Sequence, residues 1–188
     1  MSTTTFGKAA VAISPHVRAR IAGGFYLITF VAGSLALVSV NARFPANLIA
    51  TGAYVGVTLL FYELFKPAGP RLSILAALVG ILGCAKAVLD SLQVSPFSLN
   101  SLVFFGFYCL LIGFLILRSK FVPRILGALM MLGGLGWLTF VSPSLARFLS
   151  PFNMVPGIVG EGLLTLWLLV MGVNTPRWIE QARGAEGE

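Results

Sequence analysis

Six long apolar segments constrain this chain more than any other feature. They are 17 to 20 residues long and cover residues 21–40, 46–65, 72–89, 99–117, 125–141 and 157–173. An α-helix of about 20 apolar residues crosses the hydrocarbon core of a bilayer, which is about 30 Å thick. Because backbone polar groups in lipid must be paired within the protein, and the alternation of barrel strands is missing from these segments, each segment is predicted to be a helix. The sequence therefore predicts an all-α, polytopic membrane bundle with six transmembrane helices.

The composition excludes a water-soluble domain. Hydrophobic residues make up 57% of the 188 positions and charged residues only 10%, and the mean hydropathy is +0.94. Soluble proteins average about 45 to 50% apolar and about 25% charged residues. The net charge of +7 does not indicate nucleic acid binding, because the cations stand in ones and twos at the ends of apolar segments and form no basic face. These cations are better interpreted as signals of membrane topology.

The distribution of Lys and Arg predicts the orientation. Cytoplasmic loops are enriched in these residues, and the short basic turn Arg118-Ser-Lys-Phe-Val-Pro-Arg124 between the fourth and fifth segments is typical of such a loop. Ten cations fall on the side of that turn and two, Arg43 and Arg147, on the other. The ten are Lys8, Arg18, Arg20, Lys66, Arg71, Arg118, Lys120, Arg124, Arg177 and Arg183. Both termini are therefore expected to be cytoplasmic.

The expected domain organisation is simple. Residues 1–20 form a cytoplasmic N-terminal segment, residues 21–173 a single six-helix transmembrane domain, and residues 174–188 a cytoplasmic C-terminal tail. The first apolar segment is longer than the core of a signal peptide, which is about 7 to 15 residues, so it is interpreted as a retained helix. Small residues around Val40-Asn-Ala42 leave cleavage of this segment as an open alternative.

Charged residues within the apolar segments indicate a site or an internal pair, because they are costly in lipid. Lys86 lies 15 positions after Arg71, which is about 22 Å along a helix and places it in the outer third of the membrane. Glu161 enters the sixth segment from the outer side and reaches a similar depth. We therefore expect Glu161 to face Lys86 and not lipid. Asp90, one helical turn beyond Lys86, is the competing partner.

A hypothetical ligand-binding site follows from these residues. Tyr54 belongs to a polar stripe on the second helix, and with Lys86, Asp90 and Glu161 it is expected to line a pocket open to the outer leaflet. Three functions remain open. The protein binds a lipid-like or small amphipathic ligand there, or it is a structural or assembly subunit that docks other membrane helices through glycine-rich faces. The third is a proton-coupled transporter or intramembrane enzyme that uses Glu161.

The sequence carries no motif that assigns catalysis. Phosphate loops, G-x-S-x-G, H-E-x-x-H and paired-carboxylate spacings are missing, so no catalytic residue is predicted and a non-enzymatic protein is favoured. Cys84 and Cys109 lie in apolar segments, and His16 is the single histidine, so neither a metal site nor a cofactor is expected. The expected partners are membrane lipids, a small amphipathic ligand and another membrane protein, but not nucleic acid.

Three stretches of the sequence resemble a known family. They are Ala19-Arg-Ile-Ala-Gly-Gly-Phe-Tyr-Leu-Ile-Thr-Phe-Val-Ala-Gly33, Arg118-Ser-Lys-Phe-Val-Pro-Arg-Ile-Leu-Gly127 and Gly160-Glu-Gly-Leu-Leu-Thr-Leu-Trp-Leu-Leu-Val-Met-Gly-Val173. Together they resemble a family of bacterial integral membrane proteins known only as a domain of unknown function, and the middle stretch is the most specific. The resemblance implies a six-helix protein of the cell inner membrane with no established activity.

Overall fold

The computed structural model describes residues 13–95 and 98–185, so Lys8, which was counted for the orientation, lies outside the described residues, as do parts of both terminal segments. Within these ranges the chain forms eight α-helices and no strand. They are α1 (Pro15–Val38), α2 (Arg43–Phe65), α3 (Pro70–Ser91), α4 (Ser101–Arg118), α5 (Arg124–Leu138), α6 (Pro143–Leu149), α7 (Val155–Val170) and α8 (Thr175–Ala185).

The six expected spans are confirmed. Among the described residues six helices are long and apolar enough to cross a membrane, namely α1 to α5 and α7, some of them extended by a 3-10 turn. The differences lie at the edges. α1 begins before Ile21, because Ser14 caps it and Pro15 fits the first helical turn. The loop after α5 contains the short helix α6, which is capped by Ser142, and much of the expected tail is the helix α8.

The membrane helices form a closed ring. Each helix packs on the next in the order α1, α2, α3, α4, α5 and α7, and α7 packs back on α1. The two ends of the ring differ. We call the end with the start of α1, the turns 66–69 and 119–123 and the helix α8 the termini end. The end with the turn 39–42, the residues 92–95 and 98–100 and the segment 139–154 is the cavity end.

Helices α4 and α5 pack closely on each other through glycines. A Cβ atom at Gly113 would lie 2.7 Å from the carbonyl oxygen of Gly127, and one at Gly106 would lie 3.0 Å from the carbonyl oxygen of Gly134. Both pairs are seven residues apart on their helices, so they meet in one antiparallel register. Small residues let membrane helices approach closely enough for backbone packing. The glycines of this hairpin are therefore covered within the bundle.

The ring closes between α1 and α7. At Gly23 of α1 a Cβ atom would lie 3.0 Å from the backbone nitrogen of Leu169. Arg20 donates from Nε to the carbonyl oxygen of Leu169 at 2.9 Å and from Nη2 to that of Val170 at 3.4 Å. The last carbonyl groups of a helix have no intrahelical donor, and a cation there also interacts favourably with the helix dipole. Arg20 thus caps the C-terminal end of α7.

Helix α8 covers the termini end of the ring. The indole nitrogen of Trp178 donates to the carbonyl oxygen of Leu64 at 2.8 Å. The side chain of Gln181 accepts a hydrogen bond from the backbone nitrogen of Lys120 at 3.0 Å and donates to the carbonyl oxygen of Arg118 at 3.3 Å. These bonds attach α8 to the end of α2 and to the turn between α4 and α5.

Large side chains fill the ring at the termini end. Phe61 lies 5.7 Å from Tyr26 and 5.4 Å from Phe65, measured between ring centroids, and Phe65 stacks on Phe121 at 5.7 Å. Tyr26, Phe61 and Phe65 are fully buried. Aromatic pairs at such distances add to the stability that burial supplies. The solid half of the bundle is therefore the half that carries the termini.

The orientation can be tested with single cysteines. Ser144 at the cavity end and Gly184 at the termini end are both exposed, whereas the native Cys84 and Cys109 are buried and can be replaced by Ala. We expect Ser144→Cys to react with a membrane-impermeant maleimide added to intact cells. Gly184→Cys should react only after lysis. Reaction of Gly184→Cys in intact cells would contradict the predicted cytoplasmic termini.

Candidate functional site: a cavity between the membrane helices

A cavity of about 750 Å³ lies inside the ring at the cavity end. Its wall comes from the second half of α1, the first half of α2, the end of α3 and the starts of α4 and α7, with Trp137 from α5. Binding sites for small molecules in proteins usually measure about 300 to 1,000 Å³. The cavity is therefore large enough for an organic ligand. Five of the six ring helices each contribute at least two residues to its wall.

Glu161 places a carboxyl group in the wall of this cavity. Its residue is only 8% exposed, and its Oε1 accepts a hydrogen bond of 2.7 Å from the indole nitrogen of Trp137. A buried carboxyl group is costly unless hydrogen bonds compensate for lost hydration. The hydrogen bond from Trp137 offsets part of the cost of carrying this side chain inside an apolar bundle.

Aromatic side chains surround the carboxyl group. The hydroxyl oxygens of Tyr26 and Tyr54 lie 3.4 Å apart, within hydrogen-bonding distance. The Tyr54 ring packs against Phe105 at 4.7 Å and against Tyr108 at 5.5 Å between centroids. Tyr54 and Phe105 line the cavity, while Tyr26 and Tyr108 are fully buried behind it. The cavity therefore combines an apolar wall with a small polar region.

Lys86 does not meet Glu161 in the expected ion pair. It pairs instead with Asp90, four residues later on the same helix, which was the competing partner. Residues four apart lie on one face of a helix, so this pair needs no contact between helices. Lys86 is 4% exposed and Asp90 37% at their side chains. The charge of the Lys86 ammonium group is therefore paired within α3 itself.

Three of the four predicted site residues line the same cavity. Tyr54, Asp90 and Glu161 lie in its wall, and Lys86 lies outside it. Lys86 and Asp90 line an adjoining recess between the end of α3 and the start of α4. The shared position of three residues from α2, α3 and α7 is a finding of the structure. That they contact a ligand remains a prediction.

Sequence reasoning missed Trp137. A tryptophan near the end of an apolar segment is typical of the membrane interface, where its ring faces lipid headgroups. Here α5 turns the ring inward to Glu161, and Gly157 of α7 lies directly against it. The signal that was available is the glycine at position 157, which leaves room for a large ring on the facing helix. In the sequence alone that glycine has no visible partner.

The arrangement can orient an amphipathic molecule. Glu161 and Tyr54 offer oxygen atoms that accept or donate hydrogen bonds at one place in the wall. Apolar residues such as Leu37, Ile158 and Leu102 supply surface for a hydrocarbon part. Hydrogen bonds to these oxygen atoms would fix the position of the ligand's polar group. The apolar part of the ligand would gain free energy by leaving water.

The Trp137 contact predicts coupling between two helices. Trp137→Phe and Glu161→Leu, each of which removes the hydrogen bond, should each lower the free energy of unfolding in detergent. The double variant should lose less than the sum of the two, with a coupling energy of about 0.5 to 3 kcal/mol. Chemical denaturation of the four proteins measures this energy. Strict additivity would show that the hydrogen bond does not contribute to stability.

The Lys86 contact predicts coupling within one helix. Lys86→Met and Asp90→Asn should be coupled, because removal of one partner leaves the other charge without its ion pair. Lys86→Met and Glu161→Gln should be additive within about 0.5 kcal/mol, because the two groups do not pair. Recovery of the Glu161→Gln loss by Lys86→Met would contradict this geometry.

A known family covers the second half of the membrane domain. The family described as Domain of unknown function (DUF4386) matches residues 86–172, from the end of α3 to the end of α7. The match contains the stretch Arg118–Gly127 and most of the stretch 160–173. The stretch 19–33 lies outside the matched residues.

A relative extends the comparison. An uncharacterised protein from Archaeoglobus fulgidus is 30% identical over an aligned length of 137 residues, which covers 65% of this chain and 82% of the relative. No solved structure matches the chain. Neither comparison assigns an activity. The chain belongs to the DUF4386 family, a family of unknown function whose fold is represented here by a multi-pass membrane bundle.

Proposed function

We propose that the protein binds a small amphipathic, lipid-like molecule in the cavity, with Tyr54 and Glu161 holding its polar group. The observation that carries this proposal is the cavity of about 750 Å³ that contains a nearly buried carboxyl group. The side chains that line such a cavity lack the packing contacts that a filled interior would provide. A bound molecule would restore those contacts.

The mouth of the cavity supports an amphipathic ligand. Leu37 and Val40 line it and are 80% and 76% exposed, and Phe44 beside them is 47% exposed. Exposed apolar residues at the end of a membrane bundle can lie among lipid headgroups and upper acyl chains. A ligand could then enter from the bilayer without crossing water. With the predicted orientation, in the cell inner membrane, this mouth opens to the outer leaflet.

The alternative of a docking subunit has less support. The glycines that were its main feature pack α4 on α5, and Gly133 packs α5 on Gly157 of α7. Faces that are covered within the bundle cannot dock a partner helix. Transport or catalysis through Glu161 would use the same cavity. Both require that a ligand binds there first.

Two glycines of α1 provide a matched test. A Cβ atom at Gly33 or at Gly24 would meet no atom within 4 Å, but only Gly33 lies in the cavity wall. Gly33→Leu should fill the cavity and Gly24→Leu should not. Leu favours a helix over Gly by roughly 0.8 kcal/mol, so neither change is expected to destabilise α1.

The binding measurement uses native mass spectrometry of lipids that co-purify with the protein, together with the fluorescence of N-phenyl-1-naphthylamine. We expect Gly33→Leu to lose the bound molecule and the fluorescence enhancement. Gly24→Leu should retain both. Equal signals from the two variants would reject binding in this cavity, whatever the melting temperatures are.

A further inference from the structure

A second groove lies at the termini end, far from the cavity, and it belongs to the most specific part of the sequence. It is formed between the turn that joins α4 to α5 and the helix α8, with a volume of about 380 Å³. Its lining residues are Ser119, Lys120, Val122, Pro123, Arg124, Arg177 and Glu180. Five of these seven belong to the stretch 118–127. The cavity at the other end of the bundle gives this stretch no role.

The groove carries an excess of positive charge. Lys120, Arg124 and Arg177 line it together with a single carboxylate, that of Glu180. Among the described residues the salt bridges are Arg18 with Glu63 and Lys86 with Asp90, so none of the three cations of the groove forms one. Like charges that lie around one groove repel each other unless an anion binds between them. The charge distribution thus favours an anionic ligand.

Backbone donors add to this charge. Helix α5 begins at Arg124, and Pro123 before it provides no side-chain cap for the first turn. The first backbone N–H groups of a helix lack intrahelical acceptors and favour anions. Arg124, at which this helix begins, and Arg177 both line the groove, and guanidinium groups can bind phosphate oxygens in a bidentate geometry.

The groove is held in shape by hydrogen bonds. The backbone nitrogen of Asn174 donates to the carbonyl oxygen of Phe121 at 3.1 Å, and Arg177 donates from Nη1 to the carbonyl oxygen of Lys120 at 3.5 Å. With the bonds of Gln181 and Trp178, these contacts fix α8 against the turn. A ligand would therefore meet cations that are already close together, which lowers the entropic cost of binding.

The position of the groove favours a lipid as the source of the anion. Arg118 ends the fourth candidate span and Arg124 begins the fifth, so the groove lies at the level where lipid headgroups are expected. Next to Arg124, Ile125 is 65% exposed and offers an apolar surface for an acyl chain. We propose that this groove binds a phosphate-bearing anion, and that the headgroup of an anionic phospholipid is its source. Under the predicted orientation, this lipid belongs to the cytoplasmic leaflet.

The test compares two double variants that remove the same charge. Lys120→Gln with Arg124→Gln changes the groove, while Arg118→Gln with Arg183→Gln removes two cations from the same end that do not line it. The full chain is placed in nanodiscs of phosphatidylcholine with or without phosphatidylglycerol. Native mass spectrometry then counts the phosphatidylglycerol molecules that each protein retains. We expect the groove variant to retain about tenfold less than the parent, and the control to retain as much.

Each outcome decides the proposal. Equal retention by the groove variant and the parent, or equal losses in both double variants, would overturn it, since the second result reports only general charge attraction. If the parent retains no phosphatidylglycerol but binds millimolar inorganic phosphate, and the groove variant does not bind it, the phosphate site stands and the lipid source is overturned. If the groove variant melts below the parent in phosphatidylcholine alone, the single variant Lys120→Gln decides, because Lys120 is exposed and the bonds it makes to α8 come from its backbone.

Discussion

The structure depends on the closure of six membrane helices into a ring that has no helix at its centre. In such a ring the interior must be filled by side chains, because no backbone element occupies it. At the termini end Phe61, Phe65 and their neighbours do so. At the other end the side chains do not fill the interior of the ring, and a cavity of about 750 Å³ remains. The closed ring and the cavity thus have one geometric origin.

Polar groups mark the boundary between the solid and the open half. The Glu161 carboxyl group, bonded to Trp137, lies where the aromatic packing of Tyr26, Tyr54 and Tyr108 ends. A hydrogen bond contributes about 0.5 to 1.5 kcal/mol to stability, and leaving one of its partners unpaired in the interior costs about 1 to 3 kcal/mol. The site is therefore also a structural joint between α5 and α7. Functional and stabilising roles of these residues will be separated by binding measurements and not by melting temperatures alone.

The sequence predicted the spans well and the interior poorly, and the physical reason is the same for both. Transfer into hydrocarbon is governed by hydropathy summed over a segment, so the runs of apolar residues locate the helices. Inside the membrane, however, a side chain that faces lipid and one that faces the core are equally apolar. Hydropathy therefore gave no signal that Trp137 points inward. The choice of Lys86 between Asp90 and Glu161 depended on helix rotation, which the pattern did not specify. The amphipathic helix α8 was taken for a tail, because its polar composition resembles a solvated segment.

The contact between α1 and α7 also has a consequence for biosynthesis. Arg20 and its acceptor Leu169 are 149 residues apart, so the contact that closes the ring joins the first and the last of the membrane helices that the structure describes. The hairpin of α4 and α5 can pack as soon as both helices have left the translocon, since its glycines need no other element. The wall of the cavity is complete only after α7 has been inserted. The cavity is therefore completed only when α7 is in place, and a chain truncated before α7 would carry most of the wall without enclosing the cavity.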